Sequence, residues 1–425
     1  MEQRLPYNHC GLLPNFLWLS HNVPYPPQMG VLQRNYHLIR QLAGNADVHL
    51  VALRQRALCP DEASLERARR ALSSFCASVH VFELDWEIST LTRARLAPSL
   101  FAGVPYDVIR YASRELRSFL ANAPFADLDL VHLDTLGLAP YRALLPEAPT
   151  VLNHHNIESH MLARRADNAD NPLARLLFAW QARRTRAWEQ RWAPRVASNL
   201  VVSDTDAGRL REIAPAARTE VIANGVDVGY FDGPPNDDEG VASVVMVGSH
   251  GWYPNRDAAL WFLDEIWPRL TAAKPHARWI VIGSEPDPRI VEAGNRDERI
   301  EVLGFVDDLR PEVARAAVFV CPYHDGGGSR LKVLDSLAMR KALVSTPVGV
   351  EGIALKDGVE FLLATTAEVF ARRVLELFDD PARRIALGVA GRARVEREFA
   401  WERIGETLTN LYLKLTQETP RAGSA

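Results

Sequence analysis

Cysteine is scarce and scattered: four residues in 425, Cys10, Cys59, Cys76 and Cys321, with no Cys-x-x-Cys pair and no clustered histidines. That excludes a disulfide framework and a structural zinc site, and it fits a reducing cytoplasm. Long apolar runs are missing too. No stretch approaches the roughly 20 residues that cross a bilayer as a helix. The opening MEQRLPYNHCGLLPNFLWLS lacks a basic region followed by an apolar one, and Pro14 interrupts its only apolar stretch, so no secretory signal is visible. Excess positive charge is also absent: 49 basic against 53 acidic side chains leave a formal charge of -4, which provides no concentrated basic surface for nucleic acid. Only five of the cations are lysines, Lys274, Lys332, Lys341, Lys356 and Lys414, so each lysine position invites inspection.

What is present is alternation. Short apolar runs, NFLWLS (15–20), DVHLVAL (47–53), SVHVFEL (78–84), LDLVHL (128–133), TVLNHH (150–155), SNLVVS (198–203) and TEVIA (219–223), are separated by amphipathic stretches such as 31–43 and 61–75. Repeated β-α units around buried parallel sheets read this way. In FDGPPNDDEG (231–240) apolar residues vanish, and a second series then begins: ASVVMVGS (242–249), WIVIGS (279–284), IEVLGF (300–305), VFVCPY (318–323), ALVST (342–346) and EFLLA (360–364). The expected architecture is α/β, with two Rossmann-like doubly wound domains facing across a cleft. The first spans 1–232, a linker spans 233–240, the second spans 241–396, and 397–425 form a C-terminal helix and disordered tail, the helical pattern covering 382–416. Open α/β sheets bind ligands beyond the carboxyl ends of their strands, so the cleft is the expected active site.

The most informative segment is CPYHDGGGSRLKVLDSLAMRKALVSTPVGVEG (321–352). It leaves a strand, passes three glycines and opens an amphipathic helix. Gly326, Gly327 and Gly328, with Ser329, let bare amides approach an anion at the helix start. Arg330 and Lys332 bring cations to the same place, and Asp335 one turn on is a natural carboxylate for ribose hydroxyls. Phosphate plus ribose points to a nucleotide; a glycine turn before an ordinary surface helix is the plainer reading of the glycines alone.

With these residues the chain resembles the nucleotide-sugar-dependent retaining glycosyltransferases of family 4, whose fold is the two-domain GT-B architecture. The resemblance runs through VGSHGWYPNRDAALWFLDEIWP (247–268), VIGSEP (281–286), VLGFVDDLRPEVARAAVFVCP (302–322), the glycine-lysine segment and ANGVD (223–227). It implies a C-terminal domain that holds the nucleotide sugar and an N-terminal domain that holds the acceptor. By the resemblance, Gly248 is the close-approach glycine, Asn255 opens the next helix, and the backbone around Phe305 and Val306 lies along the base. Asp335 matches the second carboxylate of the Glu-x7-Glu motif. The first is replaced by Gly327, with Asp325 the nearest substitute. The usual Arg and Lys pair of the first donor-domain loop is absent, and Arg330 and Lys332 supply that charge, as in a GGG(S/T)RxK branch.

In the N-terminal half, VPYPPQMGVLQRNYHLIRQLA (23–43) resembles the family's first loop and helix, placing Gly30 near donor phosphate or acceptor and pointing Arg34 along the helix. In LVHLDTLG (130–137), Asp134 stands where many members have a sugar-contacting histidine, and strand alternation puts His132 on the same side. NHHNIES (153–159) resembles an HN(V/I)E signature, with His155 and Glu158 set against acceptor or sugar; capping by Asn156 or Ser159 is the alternative. The segment 175–195, rich in Arg and Trp, reads either as a helix on an anionic membrane or as one packing its aromatics on the sheet and solvating its arginines. Asp204-x-Asp206 looks like a metal-binding pair but is better explained as the opening of a helix with Ser203 or Asp204 as N-cap. No GxGxxG follows the first strand of either domain, which counts against a NAD-dependent dehydrogenase.

The expected function is transfer of a hexosyl group from a nucleoside diphosphate sugar to a hydroxyl of a saccharide or lipid-linked acceptor, with no cofactor and no metal. The alternatives are a nucleotide-sugar 2-epimerase-like isomerase and a non-catalytic nucleotide-sugar binder. The expected setting is cytoplasmic, with a weak peripheral contact at the inner face of the membrane.

Overall fold

A computed structural model describes residues 13–28, 30–88, 103–122, 125, 127–169, 171–232 and 242–418. The chain divides into two compact units, one comprising residues 1–223 and 401–425 and the other 224–400.

The first unit is built on a seven-stranded sheet of β1 (Asn15–Ser20), β2 (Asp47–Arg54), β3 (Ser78–Glu83), β4 (Leu130–Leu133), β5 (Thr150–His154), β6 (Ser198–Val201) and β7 (Thr219–Val221). Its order is β3-β2-β1-β4-β5-β6-β7, and every pairing is parallel. Continuous apolar runs such as NFLWLS suit strands that are covered on both faces. Leu17, Leu19, Val51, Leu53, Val131, Leu133 and Leu152 are fully buried in one core, against which Trp188 and Trp192 pack. Two helices begin on a side-chain cap that the sequence offers: Asp61 accepts from the Ser64 amide, and Ser203 accepts from the Asp206 amide, opening the helix Asp204–Ile213 as the sequence suggested.

The second unit carries six parallel strands, β8 (Ser243–Val247), β9 (Arg278–Ile282), β10 (Ile300–Gly304), β11 (Val318–Cys321), β12 (Ala342–Ser345) and β13 (Leu362–Leu363), in the order β10-β9-β8-β11-β12-β13. In both sheets the strand order reverses beside the first strand, at β1/β4 and at β8/β11. At such switch points the loops leaving the carboxyl ends part, and a crevice opens.

Three boundaries differ from the expectation. Residues 224–232 group with the second unit: Arg392 donates to the carbonyls of Val228 at 3.1 Å and Phe231 at 3.4 Å, and Val226 pairs with Ala400. The helical stretch expected over 382–416 is two helices, Pro381–Glu398 and Trp401–Glu418. The second of these belongs to the first unit, where Trp401 stacks on His37 (5.0 Å, 4°) and Tyr412 meets Phe16 edge-on at 5.6 Å. The linker 233–240, Cys10 and the tail beyond residue 418 lie outside the described residues. Cys59, Cys76 and Cys321 are buried free thiols.

Candidate active site

In the second unit, β11 ends at Cys321 and the chain runs through Tyr323 and the glycines into the helix Leu331–Ala338. Gly326 (φ 118) and Gly328 (φ 64) adopt left-handed backbone that side-chain-bearing residues avoid, which is why this loop is spelled with glycine. Beside it, the loop after β8 brings Gly248 so close that a Cβ there would lie 2.5 Å from Lys332 Nζ and 2.8 Å from Asn255 Cγ. Lys332 Nζ donates to Asn255 Oδ1 at 2.8 Å and to the Tyr323 hydroxyl at 2.7 Å. The Tyr323 hydroxyl in turn donates to Asn255 Oδ1 at 3.0 Å, and Asn255 Nδ2 donates to the Ser249 carbonyl at 2.6 Å. Asn255 is thus the third residue of the helix Tyr253–Trp261, not its opening residue, and its side chain ties the β8 loop to the β11 loop.

Burial lowers the Lys332 pKa to about 8, with Arg330 adding to the effect. Burial also raises Asp335 to about 8, against the pull of Lys332. Asp335 Oδ1 is buried and has no hydrogen-bond partner. A buried acceptor left in this state is costly unless a ligand donates to it. Arg330, expected to bring its charge to the anion site beside Lys332, curls its guanidinium back to the carbonyls of Asp325 (3.1 Å), Gly327 (2.5 Å) and Gly328 (3.1 Å), and lies 5.3 Å from the Tyr323 ring centre. It holds the loop's shape. Asp325 is likewise occupied, its Oδ1 accepting from the Gly326 amide at 2.6 Å, and Ser329 Oγ accepts from Asn224 Nδ2 at 2.9 Å. Beyond β10, Phe305 is 61% exposed and Val306 is half-buried.

The switch point of the first unit gathers a different chemistry. Asp134, fully buried just after β4, accepts from His21 Nδ1 at 2.5 Å and Asn35 Nδ2 at 2.7 Å on one oxygen, and from His155 Nε2 at 2.9 Å and Asn153 Nδ2 at 3.3 Å on the other. Burial would raise its pKa, but His155 and His21 beside it hold the carboxylate well below the usual range. Asp134 therefore cannot itself touch a sugar; it orients His155, whose side chain is 15% exposed. Arg34 does not point along its helix Gly30–Leu42, of which Gly30 is the first residue. It is 1% exposed and donates inward to Asn153 Oδ1 (3.2 Å) and the Ala223 carbonyl (3.0 Å), because a guanidinium sealed under the sheet edge must find carbonyl and amide partners.

His132 is a packing residue, stacked on Trp18 at 3.5 Å and bonded through Nδ1 to the Tyr412 hydroxyl, and burial lowers its pKa to about 4. The helix Glu158–Asp167 starts without a side-chain cap, so neither Asn156 nor Ser159 caps it. Ser159 donates to Glu189 instead, at 2.5 Å. Burial, reinforced by Asp107 and Glu189, pushes Glu158 up to about 8.

His21, Asp134 and His155 have ligand atoms within 4.8 Å of one another, the one group among the described residues that could hold a metal ion. The imidazoles are, however, already spent on the carboxylate, and the Arg34 charge opposes a cation there. Sequence reasoning missed Tyr323, His21, Asn35 and Asn153. Tyr323 carried a signal, sitting two residues past the end of β11 and three before the first glycine; the others came from elements that the fold alone brings together.

Two doubly wound parallel sheets, with polar loops gathered at each switch point, are the GT-B architecture. Comparison with known proteins makes the assignment specific. Residues 30–230 match the family described as Glycosyltransferase Family 4, and residues 242–380 match Glycosyl transferases group 1. Each unit of the chain thus matches a glycosyltransferase model, which makes the chain similar to the family 4 glycosyltransferases over both. It is 30% identical over 155 residues to the GDP-mannose-dependent monoacylated alpha-(1-6)-phosphatidylinositol monomannoside mannosyltransferase of Corynebacterium glutamicum, over 34% of this chain and 41% of that protein. To the lipopolysaccharide core biosynthesis mannosyltransferase LpcC of Rhizobium leguminosarum it is 24% identical over 257 residues, covering 57% of this chain and 71% of that one. Sucrose-phosphate synthase from Thermosynechococcus elongatus shares the fold with a TM-score of 0.70 at 17% identity, over 96% of this chain and all of that one. The names of the two curated relatives favour transfer over the isomerase and non-catalytic alternatives.

Proposed function

We propose that the chain transfers a hexosyl group from a nucleoside diphosphate sugar to an acceptor hydroxyl, with retention and without a resident metal, in the synthesis of a polysaccharide, glycolipid or other glycoconjugate. The observation that carries the donor side is the Asp335 Oδ1 atom, buried and unpartnered one turn beyond Lys332. Paired ribose hydroxyls would supply the missing donor. Lys332 and the amides of Gly327, Gly328 and Ser329 would face the diphosphate, with Arg330 and the hydrogen bond from the Gly326 amide to Asp325 keeping that loop in shape. Phe305, exposed at the end of β10, is available to a base.

During transfer the bond from the anomeric carbon to the diphosphate oxygen breaks, the acceptor hydroxyl oxygen takes its place on the same face, and the hydroxyl proton passes to the departing diphosphate. The negative charge that gathers on the leaving diphosphate is what Lys332 would stabilise. On the acceptor side, His155 held by Asp134 offers its other ring nitrogen to a hydroxyl. The GDP-mannose dependence named for the Corynebacterium relative supports a nucleotide-sugar donor and makes GDP-mannose the first donor to test.

A thermal-shift screen of nucleoside diphosphate sugars, followed by proton NMR of the product formed with simple saccharide acceptors, tests this reading. A donor that stabilises the chain, an α-linked product from an α-linked donor and rates unchanged by excess chelator are expected. An inverted product, or activity lost to chelator and restored by manganese, would contradict it.

A further inference from the structure

The helix Pro172–Trp192 of the first unit carries on its outer face the two most exposed large apolar side chains among the described residues, Leu173 at 76% and Leu176 at 68%, together with Leu177 at 53%. Spacings of three and four residues put them on one side of the helix. The buried residues Ala182, Thr185 and Glu189 lie on the opposite side. Continuing along that side, half-buried Trp180 follows, then exposed Arg183 and half-buried Arg184, the last with its guanidinium 4.2 Å from the Trp180 ring centre. Between Asn171 and Trp188 there are four arginines and no acidic residue, in a chain whose formal charge is -4. The tip is fixed: Asn171 caps the amides of Leu173 (2.9 Å) and Ala174 (3.4 Å), and Pro172 occupies the first turn.

We propose that this face is a membrane-docking surface whose occupant is an anionic phospholipid bilayer. The order of side chains along the helix carries the choice of occupant. At about 1.5 Å per residue, Trp180 sits roughly 10 Å and Arg183 roughly 15 Å along the axis from Leu173. On the leucine side, leucines at the tip, an aromatic ring next and guanidiniums behind it match acyl chains, the interfacial zone and lipid phosphates in turn, while Arg175, within the leucine stretch but on the other side of the helix, donates to the Ala169 carbonyl at 3.0 Å. A second copy of the same face would bring like charges together. Arg183 also borders a cavity of about 320 Å³ between this helix and its neighbours, lined by Arg186 and Arg209 opposite Asp167 and Glu212, a recess that fits the polar part of a headgroup. No helix among the described residues is long and apolar enough to cross a membrane, so the contact is peripheral. This surface stands independently of the donor chemistry proposed above.

Cosedimentation of the full chain with vesicles of phosphatidylcholine alone, and of phosphatidylcholine mixed equally with phosphatidylglycerol, tests it. Binding to the anionic vesicles should exceed binding to the neutral ones by about tenfold or more and should fall as salt rises. Replacing the three leucines together, Leu173→Gln, Leu176→Gln and Leu177→Gln, should weaken anionic-vesicle binding by about tenfold or more. The melting temperature should hold, because exposed side chains contribute little to the core. Arg183→Gln should weaken binding and flatten its salt dependence. Equal binding to both vesicle types, absence of binding, or a triple variant that binds like the parent would overturn the proposal. So would a parent dimer that the triple substitution turns into a monomer, since the face would then serve self-association.

Discussion

Replacing Lys332 by methionine removes a charge while keeping the length of the side chain, and the structure allows its cost to be divided between folding and chemistry. The ammonium donates to Asn255 Oδ1 at 2.8 Å and to the Tyr323 hydroxyl at 2.7 Å. When it is gone, the Tyr323 hydroxyl still donates to Asn255 Oδ1 at 3.0 Å and Asn255 Nδ2 still reaches the Ser249 carbonyl at 2.6 Å, so neither partner is stranded. The lost hydrogen bonds cost about 1 kcal/mol net, and relief of a buried charge whose pKa is already pulled down to about 8 offsets part of that. Stability should therefore move by about 1 kcal/mol or less. If Lys332 stabilises charge on the departing diphosphate, turnover should fall by about 100- to 1000-fold, equivalent to roughly 2.7–4 kcal/mol. Steady-state rates with the donor found by thermal shift, measured beside urea unfolding of both proteins, separate the two effects. Turnover within about threefold of the parent, or a loss of stability that parallels the loss of rate, would refute the assignment.

Other consequences follow from packing and titration. Gly208 lies in the helix Asp204–Ile213 where an added Cβ would meet nothing within 4 Å, so Gly208→Ala should stabilise the chain by roughly 0.5–1 kcal/mol in urea unfolding, with activity unchanged. His132 and His154 are lowered to about 4 by burial, so between their unfolded values near 6.5 and pH 4 the unfolded chain binds protons that the folded chain refuses. Their contribution is fully present above about pH 6.5 and is lost as pH falls toward 4, by at most about 3 kcal/mol each. His132→Phe, which keeps the stack on Trp18, should flatten this acid slope; an unchanged slope would remove His132 from the explanation.

Much of the fold was legible because parallel strands buried on both faces leave continuous apolar runs. NFLWLS became Asn15–Ser20, and IEVLGF became Ile300–Gly304 with Phe305 left outside. The return of Trp401–Glu418 to the first unit was not legible. Its amphipathic pattern states that a face is buried, while the partner surface, His37 and Phe16 among others, is some 360 to 400 residues away in sequence. The glycine turn into the helix Leu331–Ala338 was readable because its residue types and spacing are local. The inward turn of Arg330 was not, since whether a guanidinium serves a ligand or its own loop depends on which carbonyls the fold leaves without donors. Asp134 shows the same limit: strand alternation placed it on the right side, but His21, Asn35 and Asn153 arrive from three other elements and enclose it.

The central claim, that the β8/β11 switch point holds a nucleoside diphosphate through its ribose and phosphates, is tested most directly by calorimetric titration of the parent and of Asp335→Ala with GDP and with UDP. The parent should bind one of the two at a single site, and the variant should bind it more weakly by roughly 1–3 kcal/mol, the range for leaving a buried polar partner without its hydrogen bond. A parent that binds neither nucleotide, or a variant whose affinity matches the parent's, would contradict the account.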